Sequence, residues 1–177
     1  MNTPLKRTPV CLDCNQGIEA VYTPQFVSDM KRQAISLRIA AALLQHAESG
    51  RCGSVLQAPC GVVLSRKMIQ PDILFVARQR RGIIGKARLY AAPDLIVDLL
   101  SPATQQKDLR IKKKLYALFK VKEYWIADPD SRMIEVLVWS ELGYVSNGKY
   151  GKTDRLCSPL LPGLNLPLST IFITADD

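Results

Sequence analysis

The chain reads as an α/β domain with a mixed sheet, and three observations predict it. Apolar residues recur at helical spacing in two separate places. Between these, short apolar runs alternate with turn residues, as in a meander of strands. Residues 94–100 form a nearly continuous apolar run, as expected of a strand covered on both faces.

The first helix is predicted over residues 28–47. Ser28 and Asp29 supply caps, Ile35, Ile39, Ala42 and Leu43 the apolar stripe, and Gly50 stands just past the end. Strands are expected over residues 54–58, 61–64 and 72–77. A second helix over residues 104–119 leads to a strand at 123–127. The turn at Asp128, Pro129, Asp130 and Ser131 opens another strand, 133–139, with a hairpin partner near Tyr144. The Pro- and Gly-broken end, LLPGLNLPL, reads as packed loop. No repeat or composition shift divides the 177 residues, so one domain is expected.

Hydrophobic residues make up 47% and charged residues 23%, the balance of an ordinary globule rather than a disordered chain. No apolar run reaches the roughly 18 residues that span a bilayer, and no apolar stretch follows the basic N-terminus. Both features point to a cytoplasmic protein without a membrane partner. The net charge of +8 favours polyanions. Two stretches, from Arg66 to Arg88 and from Lys107 to Lys122, hold 14 of the 24 basic residues. Nucleic acid, with DNA first, is the expected partner; a solvated loop and helix face would account for the same charges. Cys11 and Cys14 have half-zinc-site spacing, and a four-thiol site with Cys52 and Cys60 is the alternative to free, inert thiols.

Charged residues standing in apolar positions carry the chemistry. On the second helix, Ile111, Leu115, Leu118 and Phe119 define the expected buried stripe. Asp108 then falls near its centre and Lys112 at its edge, four residues apart and within mutual reach. Asp98 interrupts Leu95–Val97 and Leu99–Leu100, on the same face as Ile96. A carboxylate withdrawn from water costs several kcal/mol unless a cation or donors meet it. Asp72 opens the neighbouring apolar strand. Two carboxylates on adjacent strands, with a lysine from the next helix, form a site for a hard divalent ion, magnesium or alternatively manganese. Two such acids repel, so one of them is expected to have a raised pKa without metal.

The succession GSVLQAP, QPDILFV, APDLIVDLLSPAT with Asp108, Lys112 and Tyr116, then EYWIADP, resembles the Uma-two family of restriction endonucleases, within the PD-(D/E)XK nuclease superfamily. The similarity spans about residues 17–139. It implies a restriction-endonuclease-like αβββαβ core, metal-dependent phosphodiester hydrolysis and often a homodimer, for which strand surface at Val136, Val138 and Trp139 is the candidate. It also implies that Asp72 and Asp98 are the metal carboxylates and that Lys112 replaces the superfamily lysine, whose position holds Leu100. Asp108 corresponds to a helix aspartate that orients Lys112 or the metal. Asp13 or Glu19 corresponds to an N-terminal acidic ligand. Asp98 stands where glutamate is usual, and Arg32 where relatives often begin the first helix with histidine. These departures keep a second reading open, a catalytically degenerate nucleic-acid-binding module on the same fold.

Overall fold

A computed structural model describes residues 19–20, 30–100 and 106–173, and the side chains of all of these except 19–20 and 106–108. Strand β1 (Glu19–Ala20) precedes helix α1 (Met30–Ser49), followed by β2 (Gly53–Gln57), β3 (Gly61–Leu64), β4 (Lys67–Ile69), β5 (Ile73–Ala77), β6 (Arg88–Leu89) and β7 (Leu95–Leu99). Helix α2 (Gln106–Leu118) leads to β8 (Glu123–Asp128), β9 (Met133–Ser140), β10 (Gly143–Gly151), β11 (Arg155–Cys157) and β12 (Asn165–Pro167). Six strands form the central sheet in the order β10-β9-β8-β7-β5-β2, and within it β7 and β8 run parallel while the other neighbours are antiparallel. The expected mixed α/β architecture, a central sheet flanked by helices, is the one observed.

Side-chain alternation divides the core between the two faces of this sheet. One face gathers Ile73, Phe75, Leu95, Val97, Leu99 and Trp125 under α1, whose Ile35, Ile39, Leu43 and Ala47 recur every four residues. The other gathers Leu74, Val76, Ile96 and Tyr124 under Tyr116 of α2 and the small sheet β1-β4-β3-β6. Among the described residues, no helix is long and apolar enough to cross a membrane.

Both helices end the same way. Arg51 adopts φ 46° and Cys52 N–H donates to Ala47 O at 3.0 Å; Lys120 adopts φ 56° and Val121 N–H donates to Tyr116 O at 3.0 Å. Each is a left-handed closure made by a basic residue; for α1 it replaces the expected Gly50, which stands one residue too early. Ser28 and Asp29, expected as caps, lie outside the described residues.

Three expectations need correction. The chain end is not loop: β11 and β12 pair, and Leu156, Leu161, Leu164, Leu166, Leu168, Ile171 and Phe172 all enter the α1-side core. Glu123 anchors this segment. The buried carboxylate accepts bonds from Ser158 Oγ (2.9 Å), Leu160 N–H (2.9 Å) and Trp125 Nε1 (2.8 Å). The buried line of α2 does not run through Ile111 and Leu118, which are 55% and 74% exposed. It centres on Tyr116, so Lys112, one turn earlier, lies on it rather than at its edge. The long apolar stem of lysine tolerates such a place. Finally, Val136 is fully buried, and Trp139 donates its Nε1–H to Ala117 O at 2.9 Å. The proposed pairing surface is therefore largely used within the chain itself.

Candidate active site

The register of β5 and β7 pairs Ile73 with Val97; one step further it sets Asp72 opposite Asp98. Residues opposed across antiparallel strands project to the same face with Cβ atoms about 4.5–5.5 Å apart. Two acids thus meet where β5 begins and β7 ends, and Lys112 reaches the pair from α2, Nζ lying 3.5 Å from Asp98 Oδ2. The three residues picked from charge in apolar positions converge as expected.

Asp98 is buried. Its Oδ2 accepts hydrogen bonds from Tyr124 (3.0 Å) and Tyr116 (3.2 Å), while Oδ1, also buried, has no hydrogen-bond partner among the described residues. Burial drives its pKa above the usual carboxylate range, Lys112 pulls it back, and the charge of Asp72 raises it again. The expected repulsion between the acids is present, but desolvation is the larger influence.

Asp72 is held differently. Leu99 N–H donates to Oδ2 at 2.7 Å, and Arg32 Nη2 lies 2.9 Å from Oδ2 and 3.2 Å from Oδ1. The same nitrogen donates to Leu99 O at 2.9 Å. Arg32 comes from the first turn of α1, which packs on the opposite face from α2. Nothing in the sequence around Arg32 announced this role, because the contact spans 40 residues to Asp72 and 67 to Leu99.

The donors suit a hard divalent ion. Two carboxylates and the carbonyl of Leu99 sit together, and the orphaned Asp98 Oδ1 lacks the partner that a buried charged oxygen requires. Among the described residues, no three His, Cys, Asp or Glu side chains cluster, so water or substrate oxygens would complete the coordination, as magnesium prefers. Asp13 and the side chains of Asp108 and Glu19 lie outside what the structure describes. So do Cys11 and Cys14; Cys52 and Cys60 are free thiols that pack against different faces of the fold.

The basic stretches are partly committed to structure. Buried Asp94 binds Lys122 (2.9 Å) and Arg80 (3.1 Å) and accepts Ala77 N–H at 2.8 Å, a buried acid that sequence reasoning passed over beside Pro93. Burial pushes its pKa up, but Lys122, the Ala77 amide and Arg80 prevail and hold it below the ordinary range. Its contribution to stability is therefore full above the unfolded-state pKa and lost as pH falls through the folded one. Asp94→Asn is expected to destabilise the fold by about 1–3 kcal/mol at pH 7, with the deficit shrinking below pH ~4, as followed by urea denaturation at both pH values. Arg66, Lys67, Arg78, Arg81 and Lys86 remain exposed, as do Arg110 and Lys114 of α2.

A family model described as "Uma2: Putative restriction endonuclease" matches residues 27–169. The chain belongs to this family. Its fold is similar to a crystal structure from Anabaena variabilis described as "a putative nuclease belonging to DUF820", with a TM-score of 0.69, 16% sequence identity and 82% of each chain covered. At that identity the likeness is one of fold. No curated protein matches. The family match takes in β11, β12 and most of the C-terminal core, which the resemblance over residues 17–139 left out.

Proposed function

We propose that the protein is a divalent-metal-dependent endonuclease that hydrolyses phosphodiester bonds of DNA. The observation that carries this reading is the meeting of Asp72 and Asp98 on one sheet face with Lys112 3.5 Å from Asp98. Asp72, Asp98 and the Leu99 carbonyl would hold magnesium or manganese, which when bound supplies charge neutralisation at the phosphate and acidifies water. Lys112 places an ammonium beside the carboxylates, able to orient the attacking water or to stabilise charge on the phosphate oxygens. Tyr116 and Tyr124 fix Asp98 by donating to one oxygen, leaving the other for the reaction. The exposed basic residues supply the electrostatic attraction for the phosphate backbone.

Plasmid incubated with protein and Mg²⁺ or Mn²⁺ is expected to be nicked or linearised, and Lys112→Ala to lose about 100-fold or more of that rate. Cleavage of equal rate in the variant would remove Lys112 from the mechanism. The engagement of Asp72 by Arg32 favours a second reading, a module that binds nucleic acid without cutting it. A steep fall of affinity with salt, together with no cleavage in any divalent metal, would select it.

A further inference from the structure

One nitrogen of Arg32 sits among three oxygens, Asp72 Oδ1 and Oδ2 and Leu99 O, all within 3.2 Å. An Nη group has two hydrogens, so it cannot direct one at each of the three. Arginine normally grips a carboxylate side-on with its planar fork, through two nitrogens. Arg32 instead enters end-on, and its Nε–H is buried with no hydrogen-bond partner among the described residues. The cage therefore matches a compact cation better than the guanidinium that fills it. The placement is also unfavourable for α1, whose first turn carries Lys31 and Arg32 and no acid, although cations belong at the other end of a helix. Both Arg32 and Asp72 are less than one-fifth exposed, so solvent screens their pairing weakly.

We propose that Arg32 is a resident, displaceable counter-ion: it neutralises Asp72 and fills the position of the divalent ion, which enters only when the arginine side chain withdraws. The proposal rests on the metal-site reading above and adds to it a competition built into the first helix. Withdrawal returns the guanidinium to water, frees Asp72 Oδ1 and the Leu99 carbonyl, leaves Asp72 Oδ2 with only the Leu99 N–H bond, and leaves the Asp98 oxygens unchanged. Divalent affinity in the native protein is thus lowered by whatever it takes to displace Arg32.

The test is Mn²⁺ titration by calorimetry, without nucleic acid, on the native protein, Arg32→Gln and Arg32→Gln/Asp72→Asn. Arg32→Gln is expected to bind Mn²⁺ about tenfold or more tightly than the native protein, and the double variant to lose that gain. Equal affinity of Arg32→Gln and the native protein overturns the proposal, as does a gain that persists without Asp72. Should Arg32→Gln not fold, the native protein serves: saturating Mg²⁺ should turn the Arg32 Nε–H from protected to rapidly exchanging. Unchanged protection with the ion bound at Asp72 overturns it equally. Plasmid cleavage separates this inference from the nuclease reading. Tighter Mn²⁺ binding without cleavage by any form upholds the competition and removes the nuclease, whereas cleavage with no effect of Arg32 on Mn²⁺ affinity does the reverse.

Discussion

Asp98→Asn should lower metal-dependent DNA cleavage by about 100-fold or more while leaving the metal-free protein as stable as the native one, or more stable by on the order of 1 kcal/mol. The two effects have one origin. Burial holds the Asp98 carboxyl above its ordinary pKa, so the fold carries the ionised form at a cost. A carboxamide removes that charge, and its oxygen still accepts from Tyr116 and Tyr124 as Oδ2 does. Its NH₂ takes the place of the orphaned Oδ1, where the negative charge of Asp72 favours a donor over a second carboxylate oxygen. What it cannot do is contribute negative charge to a cation. Plasmid cleavage and urea unfolding of the same preparation check both halves. A large loss of stability, or undiminished cleavage, would show that Asp98 is a structural residue.

The largest loss of stability is expected at Glu123. Glu123→Ala removes the acceptor for three donors at once, Trp125 Nε1–H, Ser158 O–H and Leu160 N–H, and leaves them in an apolar surrounding. A penalty of about 3–5 kcal/mol is expected, a large share of a typical domain's stability. Glu123→Gln loses less, about 2 kcal/mol, because its amide can still accept on one side but sets a donor against a donor on the other. Burial raises the Glu123 pKa despite those three bonds. The folded state then holds its proton to higher pH than the unfolded chain does. The contribution of Glu123 is accordingly complete below the unfolded-state pKa and is lost as pH rises through the folded value. Urea denaturation of the native protein and Glu123→Gln at pH 5, 6 and 7 should therefore show the gap between them widening towards pH 5. A gap that narrows instead would mean that the three donors, not burial, govern the group.

What could be read from the sequence was what is local. Strand alternation marked Asp98 as misplaced among apolar residues, and the helical pattern set Lys112 beside the buried stripe. The short apolar runs became β2, β3 and β5 with boundaries shifted by a residue or so. The α2 stripe was misjudged because its centre is a tyrosine and its neighbour a lysine, whereas the aliphatic Ile111 and Leu118 face solvent. Apolar character alone predicts burial in one direction only. Asp94 and Glu123 were passed over, and Arg32 was marked only as a departure from the family, because the partners that explain them lie mostly distant in sequence. A cation in a first turn, or an acid before a strand, looks like ordinary surface until the fold brings its counterpart. The chain end was misread for a related reason: proline and glycine announce turns, and the leucines between them reveal their burial only against α1.

That burial has a consequence for how the protein is made. Among the described residues, one-third of the α1-side core, 7 of 21, comes from the chain beyond residue 155, and Arg38 of α1 donates to the carbonyl of Ile171. On the ribosome, the first helix emerges well over a hundred residues before its cover does. Its apolar stripe has no complete partner until residues 156–172 have been made, and contacts so remote along the chain form slowly. Since Arg32 rides on that helix, the corner of the sheet that holds Asp72 is expected to take its final shape only after this distant segment has packed.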